Sequence, residues 1–165
     1  MSKLATFGFA SLLLAGAAAA QAPAHEYKIV NNELVLPTAI VFVPGSDKLK
    51  PESDAALDFV RDYLADKAYI SLLRVESHAD SAGGDALTQQ RSRAIVLALI
   101  GKGVDCARLM PVGFGDSKPA FPKDTPENKA KNQRIVVVNA ALRGRAIGGM
   151  PVDGGGKVAD VPCTK

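Results

Sequence analysis

The chain has 165 residues, 47% of them hydrophobic, enough for one domain with a real core and little more. Its formal charge of +3 comes from 20 basic residues scattered among 17 acidic ones, with no tryptophan and no aromatics interleaved with a basic cluster. That distribution offers nucleic acid no footprint.

The first segment, "MSKLATFGFASLLLAGAAAAQAPA", has one lysine, then an apolar run closing on small residues suited to an Ala-x-Ala cleavage site. This is the pattern of a secretory signal peptide. The expected cut follows Ala20, because cutting after Ala22 would set Pro23 directly beyond the scissile bond; the leader extends to residue 24 at the latest. A membrane anchor needs about 20 apolar residues, and this run is shorter and fades into alanine and glutamine. No other stretch is long enough to span a bilayer, and no cysteine near the cut offers a lipid attachment point. Loss of Lys3 leaves 19 basic against 17 acidic residues, so the mature charge is +2. An exported chain places Cys106 and Cys163 in an oxidising compartment, where an even count is consistent with one disulfide fastening the C-terminal tail; two unpaired thiols are the alternative.

"YKIVNNELVL" holds two short β-type runs flanking Asn31 and Asn32, which tolerate the positive φ of a hairpin turn. After Pro37, "TAIVFV" is a short apolar run of buried-strand character, and "PGSDKLKP" is a loop. Pro51 suits the first position of a helix. From there to Lys67, Ala56, Leu57, Phe59, Val60, Tyr63 and Leu64 recur at helical intervals while Glu52, Asp54, Asp58, Asp62 and Asp66 stay off that arc. "YISLLRVES" alternates as a strand, with Leu73 and Val75 on one face and Arg74 and Glu76 on the other. "HADSAGGD" leads into a second helix ending at Gly101 and Gly103. "RLMPVGFG" is a further strand, "DSKPAFPKDTPENKAKN" is a polar loop with one helical turn after Thr125, and "QRIVVVNA" is the last strand. Beyond Leu142 the sequence is glycine-rich and aperiodic, an irregular tail. This alternation predicts helices packed on a mixed sheet.

Little in the chain suits catalysis. His78 is the only histidine outside the leader region, and no serine or cysteine has a reason to meet it as a nucleophile. His78, Asp80 and Asp85 match no zinc spacing, and the glycines of "VGFGDSKP" lack the GK[ST] of a phosphate loop. Binding fits better. An acid just past a strand end and an arginine at the next helix N-terminus set opposite charges at the rim of a cleft, beside unpaired backbone N–H groups. Such a pair suits a zwitterion, the acid taking an ammonium and the arginine fork a carboxylate. The residue types leave open a plainer arrangement, in which the two charges simply pair with each other for about 0–1 kcal/mol.

"FVPGSDKLKPESDAAL", "HADSAG", "LTQQR", "LIGKGV", "RLMPVGFGDSKP" and "NQRIVV" occur in the order of the OmpA-like C-terminal domain, and the chain resembles that family from Ile40 to Asn139. The resemblance implies an α+β domain over residues 27–142, two helices packed on a mixed four-stranded sheet, with an N-terminal hairpin and the tail at 143–165. It implies noncovalent binding of peptidoglycan in the periplasm, with no enzymatic activity, cofactor or metal. In the family, the aspartate of "GHTD" takes the amine of the stem peptide's diaminopimelate and the arginine of "LSxxRA" takes its carboxylate. These fall on Asp80, within "SHAD", and on Arg91, within "LTQQRS". His78, Arg93, Asn132 and Arg134 are supporting candidates.

The chain departs from the family pattern in several places. The loop between Gly83 and Leu87 is shorter than usual and lacks the usual asparagine. Arg93, followed by Ala94, rivals Arg91; residues two apart on a helix face nearly opposite ways, and counting back from "LIGKGV" selects Arg91. "NQR" at Asn132 to Arg134 replaces "NRR". No outer-membrane barrel and no lipidated cysteine precede the domain, which implies a free-standing periplasmic form; association with the outer membrane and an envelope protein partner remain open expectations. The alternative expectation is a scaffold or protein-interaction domain of the same fold that has lost peptidoglycan binding.

Overall fold

A computed structural model describes residues 26–80 and 84–163, so the leader expected over 1–20 and the loop residues 81–83 lie outside the described residues. Asn31 and Asn32, with φ of 51° and 67°, occupy the two left-handed positions of a tight turn. They join β1 (Ile29–Val30) to β2 (Glu33–Leu34) as the sequence predicts. Next come α1 (Asp54–Asp66), β3 (Ile70–His78), α2 (Asp85–Gly101), β4 (Leu109–Gly115), α3 (Pro126–Asn132) and β5 (Ile135–Leu142). Two short strands close the order, β6 (Arg145–Ala146) and β7 (Lys157–Val158).

The sheet runs β1-β2-β5-β3-β4-β7, with β6 folded back on β5. Strand β3 is central, antiparallel to β5 and parallel to β4. A parallel neighbour requires a crossover, and α2 supplies it. The predicted arc of α1 is the buried one: Ala56, Leu57, Val60, Tyr63 and Leu64 pack with Leu73 and Val75 of β3, Val137 of β5 and Ile95, Val96 and Leu99 of α2. Full burial of each large aliphatic side chain contributes about 1.5–3 kcal/mol. Among the described residues no helix is long and apolar enough to cross a membrane.

Helix α2 lies close on β4 because Gly113 has no side chain. A Cβ there would stand 2.6 Å from the Gln89 backbone nitrogen and 2.8 Å from Thr88 Oγ1. Gly113→Ala is expected to destabilise the domain by about 1–3 kcal/mol through overpacking. The check is a lower urea midpoint with an unchanged slope.

The structure corrects the strand predicted at 38–43. "TAIVFV" makes only an isolated bridge, Phe42 to Leu49, and β2 takes the place of the fourth strand by pairing with β5. The physical reason is local satisfaction of its backbone. The Val41 N–H donates to Ser53 Oγ and the Ser53 hydroxyl donates to the Val41 carbonyl, each at 2.9 Å. The Val43 N–H donates to the Lys48 carbonyl and the Lys50 N–H to the Val41 carbonyl. The segment therefore loops back on itself. The single turn predicted after Thr125 is the seven-residue α3, capped by the Thr125 hydroxyl accepting from the Asn128 N–H.

The tail, predicted to be irregular, supplies β6 and β7 and is fastened at several points. Cys106 and Cys163 form a disulfide with a Cα–Cα distance of 5.7 Å, Lys157 Nζ pairs with Asp85 Oδ2 at 2.6 Å, and Arg93 Nε donates to the Asp160 carbonyl at 2.9 Å. The two cysteines lie 57 residues apart in sequence, a long loop whose closure restricts the unfolded chain. Replacing both by serine is expected to cost about 2–4 kcal/mol, read as a lower melting temperature in the absence of reductant.

Candidate functional site

The C-terminal end of β3 organises the site. Its alternation puts Arg74, Glu76 and His78 on the face away from the helices, where a half-polar strand is expected to meet water. Here all three are buried, with the tail against Arg74 and Phe114 against His78. Arg74 Nε and Nη2 both reach Glu76 Oε1, at 2.7 and 2.6 Å, and Nη1 donates to the Val152 carbonyl at 2.6 Å. His78 Nε2 lies 3.0 Å from Glu76 Oε2, and it must be the donor because a carboxylate only accepts. The imidazole stacks on Phe114 with ring centroids 5.0 Å apart. Burial pushes the Glu76 carboxyl up, but the hydrogen bonds from His78 and Arg74, with the Arg74 and Lys118 charges, outweigh it and hold the group below the usual carboxylate range.

Beyond this row opens a groove of about 890 Å³. One wall is the segment 33–45, including Phe42, Pro44 and Gly45; the other is built from Ser77, His78, Arg91 and residues 133–136. Arg91 is half-buried. Its guanidinium lies 5.0 Å from the centre of the Phe42 ring, and Nε donates to the Ser46 carbonyl at 2.9 Å. Neither terminal nitrogen has a hydrogen-bond partner among the described residues. Burial lowers the Arg91 pKa and the Asp47 carboxylate opposes that, so the group remains a cation at neutral pH.

Of the rival arginines, Arg91 faces the groove while Arg93 is exposed and turned to the tail. Thr88, Ser92, Ile95, Val96 and Leu99 form the buried stripe of α2, and Arg91 flanks that stripe on the groove side. Arg134 also lines the groove. Its terminal nitrogens donate to the carbonyls of Asn132 and Lys118 at 3.3 and 3.1 Å. Burial lowers its pKa, against the Glu76 and Glu33 charges.

Asn132 is fully buried and holds the preceding loop. Its Oδ1 accepts from the Ala120 and Phe121 N–H groups and its Nδ2 donates to the Phe121 carbonyl. Asp80 is half-buried, two residues past His78 and therefore within about 7 Å of its Cα; it is not among the described lining residues of the groove. The structure thus brings Arg91, His78 and Arg134 to one groove and leaves Arg93 and Asn132 outside it.

The first turn of α2 has no side-chain cap, and its Asp85 is engaged by Lys157. His78 and Asp85 face Glu76 and Lys157 respectively, and among the described residues no group of three His, Cys, Asp or Glu side chains gathers as metal ligands would. The sequence reading missed Ser77, Phe42 and Ser46 as parts of the site. "FVPGSD" reads as an apolar run and a turn, and only tertiary packing sets that turn against α2.

The sequence pattern of the OmpA family matches residues 41–133, more than half of the chain. The probable lipoprotein YiaD of Escherichia coli (strain K12) is 32% identical over 113 residues, which cover 66% of this chain and 51% of YiaD. Outer membrane porin F of Pseudomonas aeruginosa is 35% identical over 94 residues, covering 53% of this chain and 26% of the porin. The chain spans about half the length of the first of these relatives and a quarter of the second. The crystal structure of the peptidoglycan-associated lipoprotein from Burkholderia pseudomallei superposes with a TM-score of 0.54 at 25% identity, covering 61% of this chain and 87% of that one. The matched stretch runs from the segment that seats Arg91, through β3, α2 and β4, to the residue before Arg134, and by it this chain belongs to the OmpA family.

Proposed function

We propose that this domain binds peptidoglycan noncovalently in the periplasm through the diaminopimelate residue of the stem peptide, and that it catalyses nothing. The observation that carries the reading is the Arg91 fork. Phe42 and the Ser46 carbonyl hold it at a groove wall, and its two terminal nitrogens lack a hydrogen-bond partner among the described residues. A planar guanidinium held in this way matches a carboxylate in two parallel hydrogen bonds. Asp80, at the far end of the "SHAD" stretch, takes the ammonium of the same residue, and His78 and Arg134 support the pocket wall.

The solved relative is named for its association with peptidoglycan, which supports the same ligand class here. The leader over 1–20 delivers the chain across the inner membrane, residues 27–142 form the binding domain, and residues 143–165 form the tail that straps it. Co-sedimentation with purified diaminopimelate-type peptidoglycan tests the reading. Oxidised wild-type protein is expected in the pellet. Protein that stays in the supernatant would favour a scaffold or protein-interaction role for the same fold.

A further inference from the structure

Two buried polar atoms of residues in the groove wall, Ser77 Oγ and His78 Nδ1, have no hydrogen-bond partner among the described residues. Their residues are 1% and 2% exposed, and both line the groove. A buried hydroxyl left unpaired lowers stability, so an orphan of this kind in a folded protein calls for a partner that the protein itself does not supply. The backbone is irregular at this point. The pairing of β3 with β4 shifts register between Ser77 and His78, and bulges of this type re-aim side chains beside binding sites. On the other side Ser77 pairs with Ile135 and the His78 N–H donates to the Arg134 carbonyl at 3.0 Å. Ser77 therefore sits next to one cation of the groove and shares its wall with the other, Arg91.

The two orphans differ in what they can meet. With Nε2 donating to Glu76, the role of His78 Nδ1 changes with the charge of the ring, whereas a serine hydroxyl can donate to an anion in either case. The "GHTD" pattern carries glycine where this chain has Ser77, so the hydroxyl is a departure from that pattern. We infer that Ser77 is a ligand-binding residue whose hydroxyl donates to the carboxylate clamped by Arg91, a contact that a glycine at this position lacks. This inference rests on the reading under Proposed function and names one more donor in the same site.

The test compares wild type, Ser77→Ala and Ser77→Cys by calorimetric titration with two stem tripeptides. One has the free-end carboxylate of diaminopimelate intact, the other has it amidated. Ser77→Ala removes an orphaned hydroxyl, so its melting temperature is expected to match or exceed that of wild type. Its affinity for the acid peptide is expected to fall about tenfold, as for loss of one hydrogen bond to a charged group, with affinity for the amidated peptide unchanged. Ser77→Cys keeps nearly the same volume with a weak donor and is expected to show the same selective loss. Equal affinity of wild type and the variants for the acid peptide overturns the inference, as does equal weakening toward both peptides, which marks a structural effect. Failure of wild type to bind either peptide overturns the underlying reading and takes the inference with it.

Discussion

Glu76→Gln is expected to destabilise the folded domain by about 3–5 kcal/mol, the scale seen when one partner of a buried ion pair is removed. Glu76 and Arg74 side chains are 4% and 8% exposed, and the carboxylate holds Arg74 through one oxygen and His78 through the other. Glutamine keeps the shape and loses the charge, so the guanidinium is left buried against a neutral amide. Urea denaturation at pH 7 measures the loss. Replacing both partners, Arg74→Leu with Glu76→Leu, is expected to recover part of it, because the cost lies in the stranded charge more than in the missing attraction.

The same carboxylate sets an acid limit. Its folded pKa lies below its ordinary value of 4.5, so the unfolded chain takes up the proton first as pH falls. Its contribution is present in full above the unfolded value and is lost as pH drops through the folded one. Wild-type stability is therefore expected to decline below about pH 4.5, with a shallower decline in Glu76→Gln.

Arg91→Ala is expected to abolish retention by peptidoglycan while leaving a folded domain. The two terminal nitrogens would make two charge-assisted hydrogen bonds to one carboxylate, each contributing about 1.5–3 kcal/mol, so affinity falls by about two orders of magnitude or more. Arg91→Lys keeps the charge without the planar fork and is expected to restore only a small part. Asp80→Ala is expected to lose retention as well, through the ammonium half of the ligand. Arg93→Ala serves as the control. That residue is exposed and donates to the Asp160 carbonyl of the tail, so its loss is expected to leave retention intact.

Local rules made some of the molecule legible from sequence. The Asn31–Asn32 turn was readable because few residues tolerate two successive left-handed positions. Helix α1 was readable because its acids stay off a single apolar arc. Failure came where tertiary contacts override local preference. "TAIVFV" has the composition of a buried strand, yet a single buried hydroxyl, Ser53 Oγ, captures the Val41 backbone from outside the segment. Arg74, Glu76 and His78 alternate with apolar residues as on a solvated sheet face, and nothing near them in sequence announces that all three will be buried, with Val152 against Arg74. The tail looks aperiodic because its order comes from a disulfide and from contacts with β4 and α2.

The placement of some candidate residues was legible too. Counting back from "LIGKGV" at the family's spacing selects Arg91 over Arg93, and the structure turns the former to the groove and the latter to the tail. The arc of α2 could not make that choice alone, since both Thr88 and Ser92 are buried along with its aliphatic residues. Asn132 was expected as a supporting group for the ligand. It spends both ends of its amide on the loop at Ala120 and Phe121, a role set by the fold of that loop.

The most direct measurement of the central claim is a titration of oxidised wild-type protein with two stem peptides that differ only at one residue, diaminopimelate in one and lysine in the other. Lysine keeps the ammonium for Asp80 and lacks the carboxylate for Arg91. Binding of the diaminopimelate peptide at least a hundredfold tighter than the lysine peptide, with that preference lost in Arg91→Ala, is the expected result. Equal binding of the two peptides, or a preference that survives Arg91→Ala, would contradict the account.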